Sequence, residues 1–279
     1  MKSIKLILSG ALLTTLFISC EKQEETNTMP VEATTDQEHG LITNDNVPST
    51  VLKINGEEVR VGDLGNGEYL FNGDMAFTKE GLSSFLSDDE KANWGGQRRW
   101  TNNTIYYQFA QGLSSGRRST MLRAMRHISS RTRVRFVQGR GSGNYVSIFT
   151  SGNGTNYATV GMRGGAQSLS ISTNRLGIAI HELGHTIGLY HEHQRRDRDS
   201  YVTVNYNNIP QNFHSDYRKK GQNVGSFDWR SIMLYPTVSR GGGYEMVRRS
   251  NGQPITTSLF SNSATLSSGD VACINRYYR

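Results

Sequence analysis

Cysteine is almost missing from this chain: its 279 residues include two, Cys20 and Cys273. Two cysteines cannot build an internal disulfide framework in any compartment. A single Cys20–Cys273 bridge exists on paper, but Cys20 has a second reading. Long hydrophobic runs are missing too. The apolar stretch within the first twenty residues is too short and too interrupted for a membrane span. No internal repeat is present. No recognisable nucleic-acid module accompanies the basic residues, and basic charge alone is weak ground for such binding. No nucleic-acid partner is expected.

Acidic residues are short on one side of the chain only. From Lys91 to Arg279 there are 8 acidic and 25 basic side chains, a net of +17. From Cys20 to Glu90 there are 16 acidic and 4 basic, a net of −12. A split this sharp implies two parts with different jobs. The basic part is long enough to bury a core. It suits anionic surfaces, acidic substrates or its own acidic segment.

The chain opens with "MKSIKLILSGALLTTLFISC", a basic start followed by an apolar run, which is the anatomy of a secretory signal peptide. Its ending, "LFISC", resembles a bacterial lipobox, with Phe17 in place of the usual leucine. Residues 1–19 are then a signal of the lipoprotein type, and Cys20 is the lipidated first residue on an extracytoplasmic membrane face. Membrane contact is expected through that anchor alone. Residues 20–50 read as a flexible acidic tether, polar and without a period of 2 or 3.6.

Short alternating stretches from Val51 to Thr78, broken by glycine turns, read as a few strands. "KEGLSSFLSDDEKANW" reads as a short amphipathic piece. It ends in an acidic cluster, Asp88-Asp89-Glu90, suited to processing. "TIYYQF" is a strand. Ser115 is expected to cap a helix running to about Thr132, with Met121, Leu122, Met125 and Ile128 on one face. "VRFV", "YVSIFT", "ATVGM" and "SLSIS" follow as strands. Asn174 is expected to cap the next helix. Beyond Asp197 the chain is glycine-rich and irregular, with a helix near residues 207–219 and another from Ser267 to Tyr277. The class is α+β, with the chemistry on a helix that follows the strands.

That helix carries "HELGHTIGLYHEHQRRDRD", His181 to Asp199, which holds four of the seven histidines. Positions i and i+4 share a helix face, so His181 and His185 project together. Two imidazoles can then converge on one Zn²⁺ at about 2.0–2.1 Å. Glu182 lies one step around the helix, poorly aimed as a ligand but near a water that the ion would acidify to a pKa of about 7. It is the expected general base. Gly188 can take a positive φ, end the helix and turn the chain. His191 then returns as a third ligand, leaving one position open, which is the layout of a catalytic zinc site. The HExxHxxGxxH form is far more specific than HExxH alone. Alone, "SIMLYP" (Ser231–Pro236) would be a short apolar strand. About forty residues after this motif it reads as a Met-turn. Met233 is a soft floor beneath the histidines, and Tyr235 is placed to reach the metal or an oxyanion.

These residues resemble the astacin family of metzincin zinc metallopeptidases. The family pattern HExxHxxGxxHExxRxDRD matches from His181 onward. "SYVTVNYNNI", "SIMLY" and "LSSGDVACINRYY" continue the likeness, which covers roughly residues 91–279. The resemblance implies a metzincin fold: a mixed sheet with an active-site helix, then an irregular C-terminal part. It implies that His181, His185 and His191 bind one Zn²⁺, that Glu182 is the base, and that Tyr235 ligates the resting metal. It implies that Glu192 contacts a new N-terminus after activation. It further implies that Asp74, in "FNGD" (Phe71–Asp74), ligates the zinc of a latent zymogen. Taken alone, that tetrapeptide is only a turn signal. Residues 51–92 are then an inhibitory pro-segment, and residues 93–279 the peptidase domain. The cut is expected between Asp88 and Gly95. Animal members commonly carry two disulfides in this domain, whereas this chain has Cys273 alone there. Protein or peptide substrates with acidic residues near the cut are expected, with Arg240 a candidate contact. An inactive binding scaffold is the rival reading, although the base and all the ligands are present.

Overall fold

The computed structural model describes residues 47–87, 99–220, 223–240 and 243–279. The expected signal peptide, the expected anchor at Cys20, most of the expected tether and the Asp88–Gly95 window lie outside the described residues.

The N-terminal segment is an antiparallel meander: β1 (Ser49–Ile54), β2 (Glu57–Asp63), β3 (Tyr69–Phe71) and β4 (Met75–Phe77). Asn55 and Gly56 close the first hairpin at φ of 51° and 87°, the left-handed pair that tight hairpin turns demand. β1 begins at Ser49, inside the stretch expected to be tether, because Val47 is buried against Leu70, Ala76 and Tyr157. Helix α1 (Lys79–Leu86) follows, capped by the Thr78 hydroxyl, which accepts from the Gly81 N–H.

The larger part contributes β5 (Thr104–Phe109), α2 (Ser115–Ser129), β6 (Arg135–Gln138), β7 (Tyr145–Phe149), β8 (Tyr157–Thr159), β9 (Ala166–Ser170) and α3 (Leu176–Ile187). The sheet runs in the order β1-β2-β3-β4-β8-β9-β7-β5-β6. β6, β5, β7 and β9 are mutually parallel, and β8 lies antiparallel to β9. The meander joins through β4, which pairs in parallel with β8 as Met75↔Ala158 and Ala76↔Thr159.

Two helix starts differ from expectation. The α2 cap is Ser114, whose hydroxyl accepts from the Arg117 N–H, and the helix stops at Ser129. The cap position of α3 is Arg175 rather than Asn174. Its first N–H groups are met from far along the chain: Leu176 donates to Asn262 Oδ1 and Gly177 to the Ser261 carbonyl. A tertiary cap of this kind leaves no local signal.

After α3 the chain is held by short 3₁₀ turns. The helix expected near 207–219 is two of these, Tyr206–Asn208 and Gln211–Tyr217. β10 (Val202–Val204) pairs with β13 (Met246–Arg248), and β11 (Ser239–Arg240) with β12 (Gly243–Tyr244). α4 (Ser268–Tyr277) starts with a capping box between Ser267 and Asp270.

The main core lies between the sheet, α2, α3 and the C-terminal part, with Met121, Ile128, Ile148, Leu169 and Leu183 fully buried. The N-terminal segment has its own small core of Phe71, Phe77, Leu82 and Phe85, completed by Val160 and Tyr190 from the larger part. Phe85 stacks edge-on against Tyr190 with ring centroids 4.8 Å apart. Each large side chain buried there contributes roughly 1.5–3 kcal/mol, so the segment is packed onto the domain and not merely tethered to it.

Candidate metal centre

Helix α3 is buried along its whole length, so its polar residues face a protein interior and not solvent. His181 and His185 stand one turn apart with their Nε2 atoms 3.1 Å from each other. Gly188 ends the helix at φ 118°. Its N–H donates to the His185 carbonyl and the Leu189 N–H to the Gly184 carbonyl, a Schellman pattern. The reversed chain brings His191 Nε2 to 3.1 Å from His185 Nε2.

The outer ring nitrogens define the tautomers. His181 Nδ1 lies 2.8 Å from the Ile232 carbonyl and His185 Nδ1 2.8 Å from the Leu189 carbonyl. A carbonyl can only accept, so Nδ1 carries the proton and Nε2 presents its lone pair inward. The turn that reverses the chain at Gly188 thus also orients His185. The segment before Met233 orients His181.

Asp74 enters the same point from the N-terminal segment. Asn72 and Gly73 take φ of 54° and 80°, a turn that carries Asp74 over the end of β4, where its carbonyl accepts from Ala158 on β8. Its Oδ2 lies 3.0 Å from His181 Nε2, and its Oδ1 3.4 Å and 3.1 Å from His185 and His191 Nε2. The phenol of Tyr235 donates to Asp74 Oδ2 at 2.8 Å and lies 2.8 Å from the Asn72 carbonyl.

Burial works to raise the Asp74 carboxyl, and the adjacent His191, His185 and His181 more than offset it, holding it well below the ordinary value. Burial depresses His191 to about 4 and lowers His185 as well. The inward lone pairs of His181 and His185, the His191 Nε2 and the Asp74 carboxylate face one another across roughly 3 Å, and a cation placed among them would satisfy all four groups. The donor set, three imidazoles and one carboxylate with their ligand atoms all within 4.8 Å, suits Zn²⁺.

Glu182 points elsewhere. It is wholly buried and, among the described residues, neither of its oxygens has a hydrogen-bond partner. Burial, then the charge of Asp74, pushes it well above the ordinary carboxylate value.

Met233 lies beneath α3. A Cβ on Gly184 would stand 2.6 Å from its sulfur, so glycine is what lets the helix rest on this floor. Sequence reasoning did not single out Gly184. It also passed over His193, which stacks on His191 at 14° with centroids 5.1 Å apart and lies 4.6 Å from the Tyr235 ring. Glu192 faces away from the cluster. Its Oε1 accepts from the Asp228 N–H at 2.8 Å and lies 3.4 Å from Arg195. It lines a cavity of about 70 Å³ shared with Asp228, Asp270, Lys220 and Cys273. Arg240 falls in β11; its side chain is outside the described atoms.

The sequence model of the astacin peptidase family matches residues 93–279. The chain belongs to the astacin family. Nematocyst expressed protein 6 of Nematostella vectensis is 33% identical over 225 residues, covering 75% of this chain and 77% of that one. Zinc metalloproteinase nas-17 of Caenorhabditis elegans is 33% identical over 152 residues, 52% of this chain and 35% of its own. The match thus spans well under half the length of this nematode relative. Among solved structures, the hatching enzyme zinc-protease high choriolytic enzyme 1 of medaka, Oryzias latipes, superposes with a TM-score of 0.58 at 28% identity. That match covers 69% of this chain and 98% of that one. Astacins are zinc metallopeptidases, and zinc is the metal that the histidine cluster of this astacin can hold. Among the described residues, no helix is long and apolar enough to cross a membrane.

Proposed function

We propose that this astacin is an extracytoplasmic zinc endopeptidase made as a latent precursor. The observation that carries the reading is the Asp74 carboxylate lodged among His181, His185 and His191. His181, His185 and His191 are the ligands that would hold the ion. Asp74 would be the fourth ligand in the precursor, and Tyr235 would replace it in the resting activated enzyme. When bound, Zn²⁺ would polarise the scissile carbonyl and acidify the attacking water.

The chain's own groups do the rest. Glu182, free of other partners among the described residues, accepts the proton of the attacking water and returns it to the leaving amine. Tyr235 already presents its hydroxyl to an anionic oxygen, Asp74 Oδ2. With Asp74 gone the same donor stabilises the oxyanion of the tetrahedral state. Met233 fixes the floor under α3, and Gly188 fixes the return of His191. Residues 51–92 act as the inhibitory segment, and 93–279 as the peptidase domain. Opposite net charges favour their docking.

Glu192 receives the new N-terminus after cleavage. Its support is the cavity it lines with Asp228 and Asp270 beside the cations Arg195 and Lys220, where three carboxylates could receive an ammonium group. Cys20 carries the lipid that anchors the precursor outside the cytoplasm. The test is hydrolysis of a peptide library by full-length chain, before and after limited proteolysis, with chelator and with zinc restored. Chelator-sensitive cleavage that appears on trimming supports the reading. Equal activity in the intact chain removes the latent precursor, and activity indifferent to chelator removes the zinc mechanism.

A further inference from the structure

A second carboxylate of the N-terminal segment is buried against the domain, away from the histidines. Glu68, just before β3, is 1% exposed. Its Oε1 accepts a 2.5 Å hydrogen bond from Thr159 Oγ1 on β8 and lies 3.7 Å from Arg163 Nη1. Its Oε2 accepts from Asn66 Nδ2 at 3.1 Å, and the same amide reaches Ser168 Oγ on β9. Ala76 on β4 is the register partner of Thr159.

The domain's half of this niche is built without Glu68. Arg163 Nη2 donates to the Ala166 carbonyl, and its backbone N–H donates to Gln167 Oε1 at 3.1 Å. The guanidinium is therefore aimed by its own β8–β9 connection. Its Nε is buried and has no partner among the described residues. Thr159 Oγ1 is held from behind by the Ser168 N–H at 3.0 Å. Removal of the segment leaves an oriented hydroxyl at the end of the strand whose edge β4 had occupied, and an oriented cation in the connection that follows it. A peptide that takes the place of β4 on that edge brings its own side chains over the same face, and these two groups are made to receive a carboxylate.

We propose that Thr159 and Arg163 form a specificity subsite for an acidic side chain of the substrate, and that Glu68 fills it in the latent chain. The proposal rests on the peptidase reading above. It places recognition of an acidic side chain at Thr159 of β8 and at Arg163 in the β8–β9 connection.

Full-length chain, activated by limited proteolysis, is assayed on peptides carrying Glu or Gln at each position around the cut. One position is expected to favour Glu by about tenfold in kcat/KM, carried by KM, the size of one charged hydrogen bond. Arg163→Gln, and separately the isosteric Thr159→Val, are expected to bring that ratio near unity. In parallel, a synthetic Asn66–Phe77 peptide is titrated into the activated enzyme by fluorescence anisotropy. Glu68→Gln in the peptide is expected to weaken binding by about tenfold with the parent enzyme and little with Arg163→Gln. No Glu preference at any position, or a preference retained by both variants, overturns the subsite. It would leave Glu68 as a fastening of the segment alone. Failure of the activated parent to cleave any peptide strikes the peptidase reading instead, and an anisotropy titration that does not separate Glu68 from Gln overturns the niche as a carboxylate site.

Discussion

The Tyr235 phenol donates to the Asp74 carboxylate across 2.8 Å, although 161 residues separate them in the chain. The bond joins the Met-turn of the domain to the turn of the N-terminal segment at the point where the three imidazoles meet. Asp74→Ala removes the carboxylate and leaves the rest of the segment packed through Phe71, Phe77 and Phe85. The uncleaved variant is expected to hydrolyse peptides about ten- to a hundredfold faster than the uncleaved parent, as for loss of one charged contact of roughly 1.5–3 kcal/mol. Initial rates on intact chain check this, and equal silence of variant and parent would place the latch elsewhere.

Glu182→Gln keeps the shape of the side chain and removes its basicity. Neither Glu182 oxygen has a partner among the described residues, so the substitution strands no hydrogen bond. The activated variant is expected to lose roughly 10²–10⁴-fold in kcat/KM, the usual share of a general base. Bound zinc, measured by elemental analysis, stays stoichiometric. A variant that is still fully active would end the assignment of the base.

Tyr235→Phe deletes one hydroxyl that serves both states of the proposed cycle. In the activated enzyme a loss of about 10²-fold or more in kcat is expected, as for removal of one oxyanion donor. The uncleaved precursor is expected to become leakier as well, because Asp74 Oδ2 loses a donor. A change in KM alone, with kcat intact, would contradict the role.

Gly177 lies in the first turn of α3, where a Cβ would collide with the Leu259 carbonyl. Backbone cannot swing aside as a side chain can. Gly177→Ala is expected to destabilise the fold by about 1–3 kcal/mol and to lower Tm by several degrees, on the order of 2–4 °C per kcal/mol. Thermal unfolding followed by circular dichroism reads the shift, and an unchanged Tm would mean that the Ser258–Leu259 segment yields freely.

Cys273 is a free thiol lining the Glu192 cavity. Burial, with Asp270 and Glu192 nearby, pushes it up to about 12. Against an ordinary thiol of about 8.5, its thiolate fraction at pH 8 falls by roughly a thousandfold. Alkylation at pH 8 is expected to be slow in the native chain and fast in denaturant. The raised value favours the folded state while the unfolded thiol is protonated. That contribution is lost as pH climbs from about 8.5 towards about 12. Equal alkylation rates for folded and unfolded chain would contradict the burial.

The 3.6-residue period and the offsets of His181, His185, Gly188 and His191 were legible from residue order, because a helix and its terminating glycine are local events. The strand segments up to β9, α1 and α4 were legible for the same reason, since alternation and caps are short-range, whereas β10 to β13 fell in a stretch read as irregular. The capping of α3 was not, because Asn262 and Ser261 supply it from more than eighty residues away. Nor could spacing find Gly184, whose bareness matters only once Met233 lies beneath it, or Glu68, whose partners Thr159 and Arg163 lie far along the chain. "FNGD" looked like a turn and is one. That the turn lays Asp74 among three imidazoles 107 or more residues away was decided when β4 paired with the edge of β8. Local periodicity therefore set the helix that carries the histidines, and long-range strand pairing and packing selected which carboxylates reach them and which stay out.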